Sequence, residues 1–291
     1  PASVTFISGR TFENCGNLRR VDFLGDAPSA GNDCFKEVTA TGYYPAGTKG
    51  WTPTYYGLNM VMVSGDFTLT DNGTAVTITG YLGAGGAVTI PSIIGGHPVT
   101  SVGYGAFYGL TALTSVTIPS SVTRIGDTAF QGCTGLTSVT LPSKLTELGD
   151  GVFAGCEKLS AITIPSGVTA LRPSVFFGCT ALTTVTIPST ITTIEDGAFF
   201  GCTGLKSIYF LGNAPTATAL SFKYVTALGI RQSETTGWTN TFYGLNIYNR
   251  QGTSIALIKD KAVKHSTFDI TIGLEREERI VGFSAHKNEN D

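Results

Sequence analysis

Six cysteines, three histidines and a scatter of single carboxylates are the residues of this chain whose chemistry could build a catalytic or metal site. Their spacing points elsewhere. Cys133, Cys156, Cys179 and Cys202 recur every 23 residues, and Cys15 sits in the same local frame as Cys202. Zinc sites draw on Cys and His only a few residues apart, so this ladder does not form a ligand set. A thiol that returns at one repeat position reads instead as a small apolar residue packed near a turn. His97 falls in a Gly-Gly-His-Pro turn, and His265 and His286 lie near the end of the sequence, with no Ser or Cys elbow and no HExxH pattern beside any of them. Asp127, Glu147, Asp150 and Glu195 stand singly, and Asp127 and Asp150 share one repeat position, so they decorate turns rather than pair as acid and base. The expectation is no catalytic residue, no metal and no cofactor.

Composition narrows the partners. Charged residues make up 14% of the 291 positions against roughly 25% in an average soluble domain, while 42% are hydrophobic and 37 are glycine. A formal net charge of -2 and a pI near 6.0 give neither a basic stripe for phosphates nor an acidic tail, which argues against nucleic acid and anionic membrane as partners. No apolar run reaches the ~20 residues of a transmembrane helix. Pro1 opens without the charged and apolar regions of a leader, and the sequence starts inside a repeat, which reads as a fragment or processed product.

The elements that carry these residues follow from one period. Phe107, Phe130, Phe153, Phe176 and Phe199 keep the 23-residue step, as do Leu113, Leu136, Leu159, Leu182 and Leu205, and Gly109, Gly132, Gly155, Gly178 and Gly201. Pro119, Pro142, Pro165 and Pro188 complete the frame. Within a unit, Leu136, Val139 and Leu141 mix spacings of three and two, as where a bend enters a strand with alternate inward residues. The proline ends that strand, because it has no donor to give the ladder. A second apolar pair, such as Val122 and Ile125, precedes the turn that holds the phenylalanine, so each coil has three inward sides. One coil cannot bury this set alone; stacked coils can.

The pattern L-x-x-V-x-I-P-x-x-V-x-x-I-x-x-x-x-F-x-x-C resembles the BspA-like leucine-rich repeats, strongly over Val99 to Pro215 and again over Phe12 to Pro28. The resemblance implies a leucine-rich-repeat solenoid, a β-rich, α/β-type superhelix of 23-residue coils, in a bacterial secreted or cell-surface protein of adhesive kind.

A longer duplication overlies the short one. Phe12, Cys15 and Leu18 match Phe199, Cys202 and Leu205 at an offset of 187, and Phe23-Leu24-Gly25, Ala27-Pro28, Phe35-Lys36, Gly50-Trp51-Thr52 and Tyr56-Gly57-Leu58-Asn59 keep that offset without a gap. Since 187 is not a multiple of 23, whole modules repeat. The expected organisation is the end of a first array (1–28), its cap (29–62), a β-hairpin that opens the second array (63–98), the second array (99–215), its cap (216–250) and a β-rich tail (251–291) with no 23-residue step, complete or truncated. The hairpin rests on alternating Phe67, Leu69, Val76 and Ile78 around Asp71-Asn72-Gly73. Trp51 and Trp238 read as plugs for the apolar end of each array, with a sugar-stacking platform as the functional alternative.

What remains for function is the outward side of the main strands: Ser115 and Thr117, Ser138 and Thr140, Ala161 and Thr163, Thr184 and Thr186, then Ser207 and Tyr209. Threonine suits exposed strands by propensity alone. As a site, Ser115, Thr117, Ser138, Thr140, Thr163, Thr184, Thr186 and Tyr209, with the two tryptophans, form a broad uncharged surface for an extracellular protein or glycan. The sequence therefore reads as a non-catalytic interaction or adhesion module; the alternative is a carbohydrate-binding or spacer module of a larger secreted enzyme.

Overall fold

The computed structural model of the chain describes the fold of residues 1–251, 254–255, 268–275 and 279–287, and the side chains of residues 1–249. Short strands dominate, laid side by side as the chain coils. One row runs through Gly86–Thr89, Leu113–Thr117 and Ser138–Thr140, then Ala161–Thr163, Thr184–Ile187, Ser207–Phe210, Leu228–Gln232 and Leu245–Gln251. Neighbours in it are parallel and in register, Ser115 facing Ser138 and Thr186 facing Tyr209, with an interruption of the ladder between Ser138–Thr140 and Ala161–Thr163. Parallel neighbours follow from the coil itself, since each strand is reached by one full turn of chain in the same direction.

A second row lies on another side of each coil: His97–Val102, Arg124–Ile125 and Glu147–Leu148, followed by Ala170–Leu171 and Thr193–Ile194. It is continuous with the N-terminal strands. Val76–Tyr81 pairs parallel with His97–Val102 and antiparallel with Phe67–Asp71, which pairs antiparallel with Leu58–Ser64, and this leads through Thr41–Pro45 to Arg20–Asp22.

The third side corrects the expected architecture. An α/β-type superhelix would place helices there, yet the described residues contain no helix, and the fold is an all-β leucine-rich-repeat solenoid, a β-helix. The reason is visible in each turn. Gly105, Thr128, Gly151, Ser174 and Gly197 hold φ between 55 and 67°, and four residues on Gly109, Gly132, Gly155, Gly178 and Gly201 hold φ between 67 and 73°. Two left-handed residues so close together leave no room for a right-handed helix. The phenylalanine amides instead reach the adjacent coil: Phe107 N–H donates to Ala129 C=O at 2.7 Å, Phe130 to Val152 at 2.9 Å, Phe153 to Val175 at 2.9 Å and Phe176 to Ala198 at 2.9 Å. Stacked turns thus satisfy between coils what a helix would satisfy within itself.

Inside runs a file of rings. Phe107, Phe130, Phe153, Phe176, Phe199 and Phe222 stack in order with centroids 4.9, 5.6, 5.8, 5.4 and 5.5 Å apart, none more than 2% exposed. Burying each such side chain is worth ~1.5–3 kcal/mol. Leu113, Leu136, Leu159, Leu182 and Leu205, with Ile125, Leu148, Leu171 and Ile194, fill the other corners and are buried. This core extends from Phe67 to Leu245; a smaller one, built on Cys34, Phe35, Val38, Ala40, Tyr55 and Leu58, serves the N-terminal segment. In the tail, Phe268–Glu275 and Arg279–Lys287 pair antiparallel; of the β-rich tail expected over 251–291, residues 252–253, 256–267, 276–278 and 288–291 lie outside the described residues, His265 among them.

Candidate functional site

The outward residues of the first row form two in-register files. One contains Ser115 and Ser138, then Ala161, Thr184 and Ser207; the other contains Thr89, Thr117 and Thr140, then Thr163, Thr186 and Tyr209. Thr117, Ser138, Thr140, Thr163, Thr184 and Thr186 are exposed, and Ser115, Ser207 and Tyr209 half-buried. They alternate with buried Val116, Val139, Ile162, Val185 and Ile208, so period-2 alternation places every hydroxyl on one side. Past Tyr209 the second file continues to Ile230, which faces outward yet is 7% exposed and lies between Tyr209 and Tyr248 in register.

Two kinds of threonine separate here. Those flanking the strands bind the preceding coil: the hydroxyls of Thr137, Thr146, Thr183 and Thr192 donate to the carbonyls of Thr114, Thr123, Ser160 and Thr169, each 23 residues back, at 3.0–3.5 Å. Those on the strand face do not: among the described residues, the hydroxyls of Ser115, Thr117, Ser138, Thr140, Thr163, Thr184 and Thr186 have no protein partner. The first set is consumed in stacking coils; the second remains available to a ligand or to water.

The tryptophans lie away from this face. Trp51 Nε1 donates to Gly25 C=O at 3.2 Å and Trp238 Nε1 to Gly212 C=O at 3.3 Å, both rings half-buried. Each indole tilts against a phenylalanine of its own core, Phe23 at 4.6 Å and Phe210 at 4.7 Å between centroids. With the N–H engaged and one side packed, each ring has limited area left for a ligand.

The cysteines are free, and Cys34, Cys133, Cys156, Cys179 and Cys202 are buried while Cys15 is exposed. Each repeat thiol donates to a carbonyl 26 residues back, Cys133 to Phe107 at 3.0 Å and Cys202 to Phe176 at 2.9 Å among them. Burial pushes the Cys133 thiol up to about 11 and Cys202 up to about 12, and raises Cys156 and Cys179 as well, the reverse of what a nucleophile needs. Among the described residues no three His, Cys, Asp or Glu side chains converge as a metal site. The four carboxylates Asp127, Glu147, Asp150 and Glu195 are engaged by neighbours of opposite charge or by backbone. Arg172 sits between Asp150 and Glu195 at 3.2 Å from each, Arg124 is 3.4 Å from Glu147, and Asp127 accepts the Asp150 amide at 2.9 Å. His97 Nδ1 is 2.7 Å from Asp71, and that contact, with the Gly73 amide, holds the Asp71 carboxyl below its ordinary range. A shallow cavity of about 380 Å³ lies at the N-terminal end against Phe6, Phe12, Phe23 and Phe35, with Asp22 and Asp26 on its wall.

Comparison with known proteins places this geometry. The model of the BspA-type leucine-rich repeat region matches six copies over residues 1–42 and 100–229, more than half of the chain. The chain belongs to the BspA-type leucine-rich repeat family. Among solved structures, the T. pallidum leucine-rich repeat protein is 32% identical with a TM-score of 0.52, over 63% of this chain and 89% of its own. A leucine-rich cell surface protein from Faecalibacterium prausnitzii A2-165 is 28% identical over 74% of this chain and 59% of its own, with a TM-score of 0.45. The pneumococcal vaccine antigen PcpA shares the fold at 17% identity and a TM-score of 0.51, over 79% of this chain and 54% of its own. No match was found among curated proteins.

Beyond the two hydroxyl files, these BspA-type coils carry a feature that the sequence reading passed over. The residue after each repeat phenylalanine lies outside the ring file: Tyr108, Phe177 and Lys223 are exposed, Gln131 and Phe200 half-buried, and the small Ala154 buried. Phe177 and Phe200 stack at 5.0 Å, and Tyr224 meets Phe200 edge-on at 5.1 Å. Two adjacent phenylalanines at consecutive 23-residue steps were the signal, since only one of each pair can point inward from the turn.

Proposed function

We propose that this chain is a non-catalytic extracellular interaction module whose hydroxylated strand face receives a protein or glycan. The observation that carries the reading is that the face hydroxyls are exposed or half-buried, in register and unused by the fold, whereas the flanking Thr137, Thr146, Thr183 and Thr192 are tied to the preceding coil. Their family, found in bacterial surface and extracellular proteins, supports an extracellular setting. A rigid parallel ladder also pre-organises its outward groups, so a repeating ligand meets them without ordering cost. With Tyr209 as the one aromatic among the face residues from Ser115 to Tyr209, the affinity of one module is modest and gains from several modules in one protein. The proposed arrangement of that protein is array, cap, opening hairpin, array and cap, with the boundaries given above.

The test is a binding screen against extracellular-matrix proteins and glycans with the full chain and with a Thr140→Val, Thr163→Val, Thr186→Val variant. Valine keeps shape and strand preference while deleting the hydroxyl. A loss of tenfold or more in a variant that unfolds at the same urea concentration supports the face; undiminished binding removes it.

A further inference from the structure

The outward aromatic row marks a second site, distinct from the strand face. Phe177 and Tyr224 are 42% and 63% exposed, Phe200 lies half-buried between them, and the Lys223 ammonium stands 5.2 Å from the Tyr224 ring centroid and 5.9 Å from that of Phe200. The fold does not require these residues. The module at an offset of 187 has Glu13, Lys36 and Glu37 where this one has Phe200, Lys223 and Tyr224, on a backbone of the same shape, with φ of 57° at Glu37 and 66° at Tyr224. There Lys36 is partnered by Glu13 at 3.9 Å; here the corresponding carboxylate is a phenyl ring, and among the described residues no carboxylate pairs with Lys223. Tyr224 also occupies the left-handed position that Gly109, Gly132, Gly155, Gly178 and Gly201 fill elsewhere, so a large ring is held in a conformation that disfavours it, at the surface.

We propose that this row binds a uronic acid unit of an acidic polysaccharide, the apolar face of the sugar ring lying on Tyr224 and the edge of Phe200 and its carboxylate pairing with Lys223. Charge complementarity selects an anion, because the module has kept the lysine and lost its internal partner. Ring and charge together select a sugar over a peptide: the amides of Phe177, Gly178, Phe200, Gly201 and Lys223 all donate within the turns or to the next coil, which leaves the Tyr224 amide as a lone donor where an extended peptide needs an alternating edge to pair with. A pyranose needs none, since it stacks an apolar face on the aromatic surface and leaves its hydroxyls in water.

The experiment is titration calorimetry of the full chain with a galacturonic acid trimer, a glucuronic-acid-containing trimer and the methyl ester of the first, which removes the charge and keeps the ring. Saturable binding of an acidic trimer, weakened at least tenfold by esterification, by Lys223→Gln and by Tyr224→Gly, and weakened by salt, is the expected result. Tyr224→Gly installs the residue the other coils use, so it does not endanger folding, and Thr186→Val serves as the control that leaves this site intact. No binding of either acidic trimer, equal binding of the ester, or unchanged affinity in Tyr224→Gly overturns the proposal. The strand face is read out independently by the threonine variants.

Discussion

Residues 12–59 and 199–246 follow the same path at an offset of 187, with roughly half of their positions identical, yet they end in different environments. Phe199 is enclosed between Phe176 and Phe222, and Cys202 behind it is wholly buried; Phe12 stacks on Phe35 alone at 5.1 Å and is half-buried, and Cys15 is exposed. Inward residues that differ are matched in size: a Cβ on Gly42 would meet Met60 and one on Gly229 would meet Ile247, so in both modules a glycine makes room for a large neighbour one strand on. Outward residues that differ change character altogether, Asp22 standing beside Tyr43, with Arg20 over the ring at 4.1 Å, where the other module has Tyr209 beside Ile230 and Ser207. The lesson is that stacking constrains the inner set through close packing, whereas the outer set is free to diverge toward different partners.

The largest expected difference between the modules lies in that ring file. Phe199→Ala should cost about 3–5 kcal/mol, because the coils on both sides hold the cavity open, and Phe12→Ala at most about half of that, its ring having one neighbour and a route to solvent. Urea unfolding of the two variants measures both; equal losses would show that the N-terminal segment is as tightly enclosed as the array. Unfolding should be followed by two probes, since coupled repeats with two separate cores need not melt as one unit.

A smaller difference concerns the left-handed turn position. Arg10 holds φ of 61° where the second module has Gly197 at 67°. Gly197→Ala should destabilise by about 1–2 kcal/mol and Arg10→Gly should stabilise by about 1 kcal/mol, less whatever the exposed Arg10 pair with Glu13 contributes. Thermal melts of the two variants moving in the same direction would mean that the turn geometry is not shared.

The least effect on stability, and the sharpest on reactivity, is expected at the thiols. Cys15 should react with a disulfide reagent at neutral pH in the folded protein, and the five buried cysteines only on unfolding. Because burial raises the thiols of Cys133, Cys156, Cys179 and Cys202 above their unfolded values, the folded state holds protons that the unfolded chain releases. Their contribution to stability is therefore complete below about pH 8.5 and declines as pH rises from there toward 11 and 12. A midpoint of urea unfolding that stays level or rises across that range would contradict it.

Much of this was legible in the residues themselves. The 23-residue step gave the stacked coils, the buried phenylalanine and leucine files and the inward cysteines, because a solenoid repeats its contacts with its sequence. The hairpin around Asp71-Asn72-Gly73 followed from alternation and a turn signal, and the structure has Phe67–Asp71 paired antiparallel with Val76–Tyr81. The third side was misread as helical, since spacing reports which residues face inward and not whether the intervening amides bond within a coil or between coils. Thr128 and Ser174, with φ of 55 and 56°, carry no left-handed signal in their side chains and take that conformation because the neighbouring coils impose it.

The sequence by itself determined the period, the inner set and the absence of a metal-ligand pattern, all of which are properties of residue type and spacing along one chain. Only the tertiary structure decided which hydroxyls are spent on stacking and which are left over, and that Phe177, Phe200, Lys223 and Tyr224 share one patch of surface. Those depend on distances between residues 23 or more apart, which close stacking of one coil on the next brings within hydrogen-bond and ring-contact range.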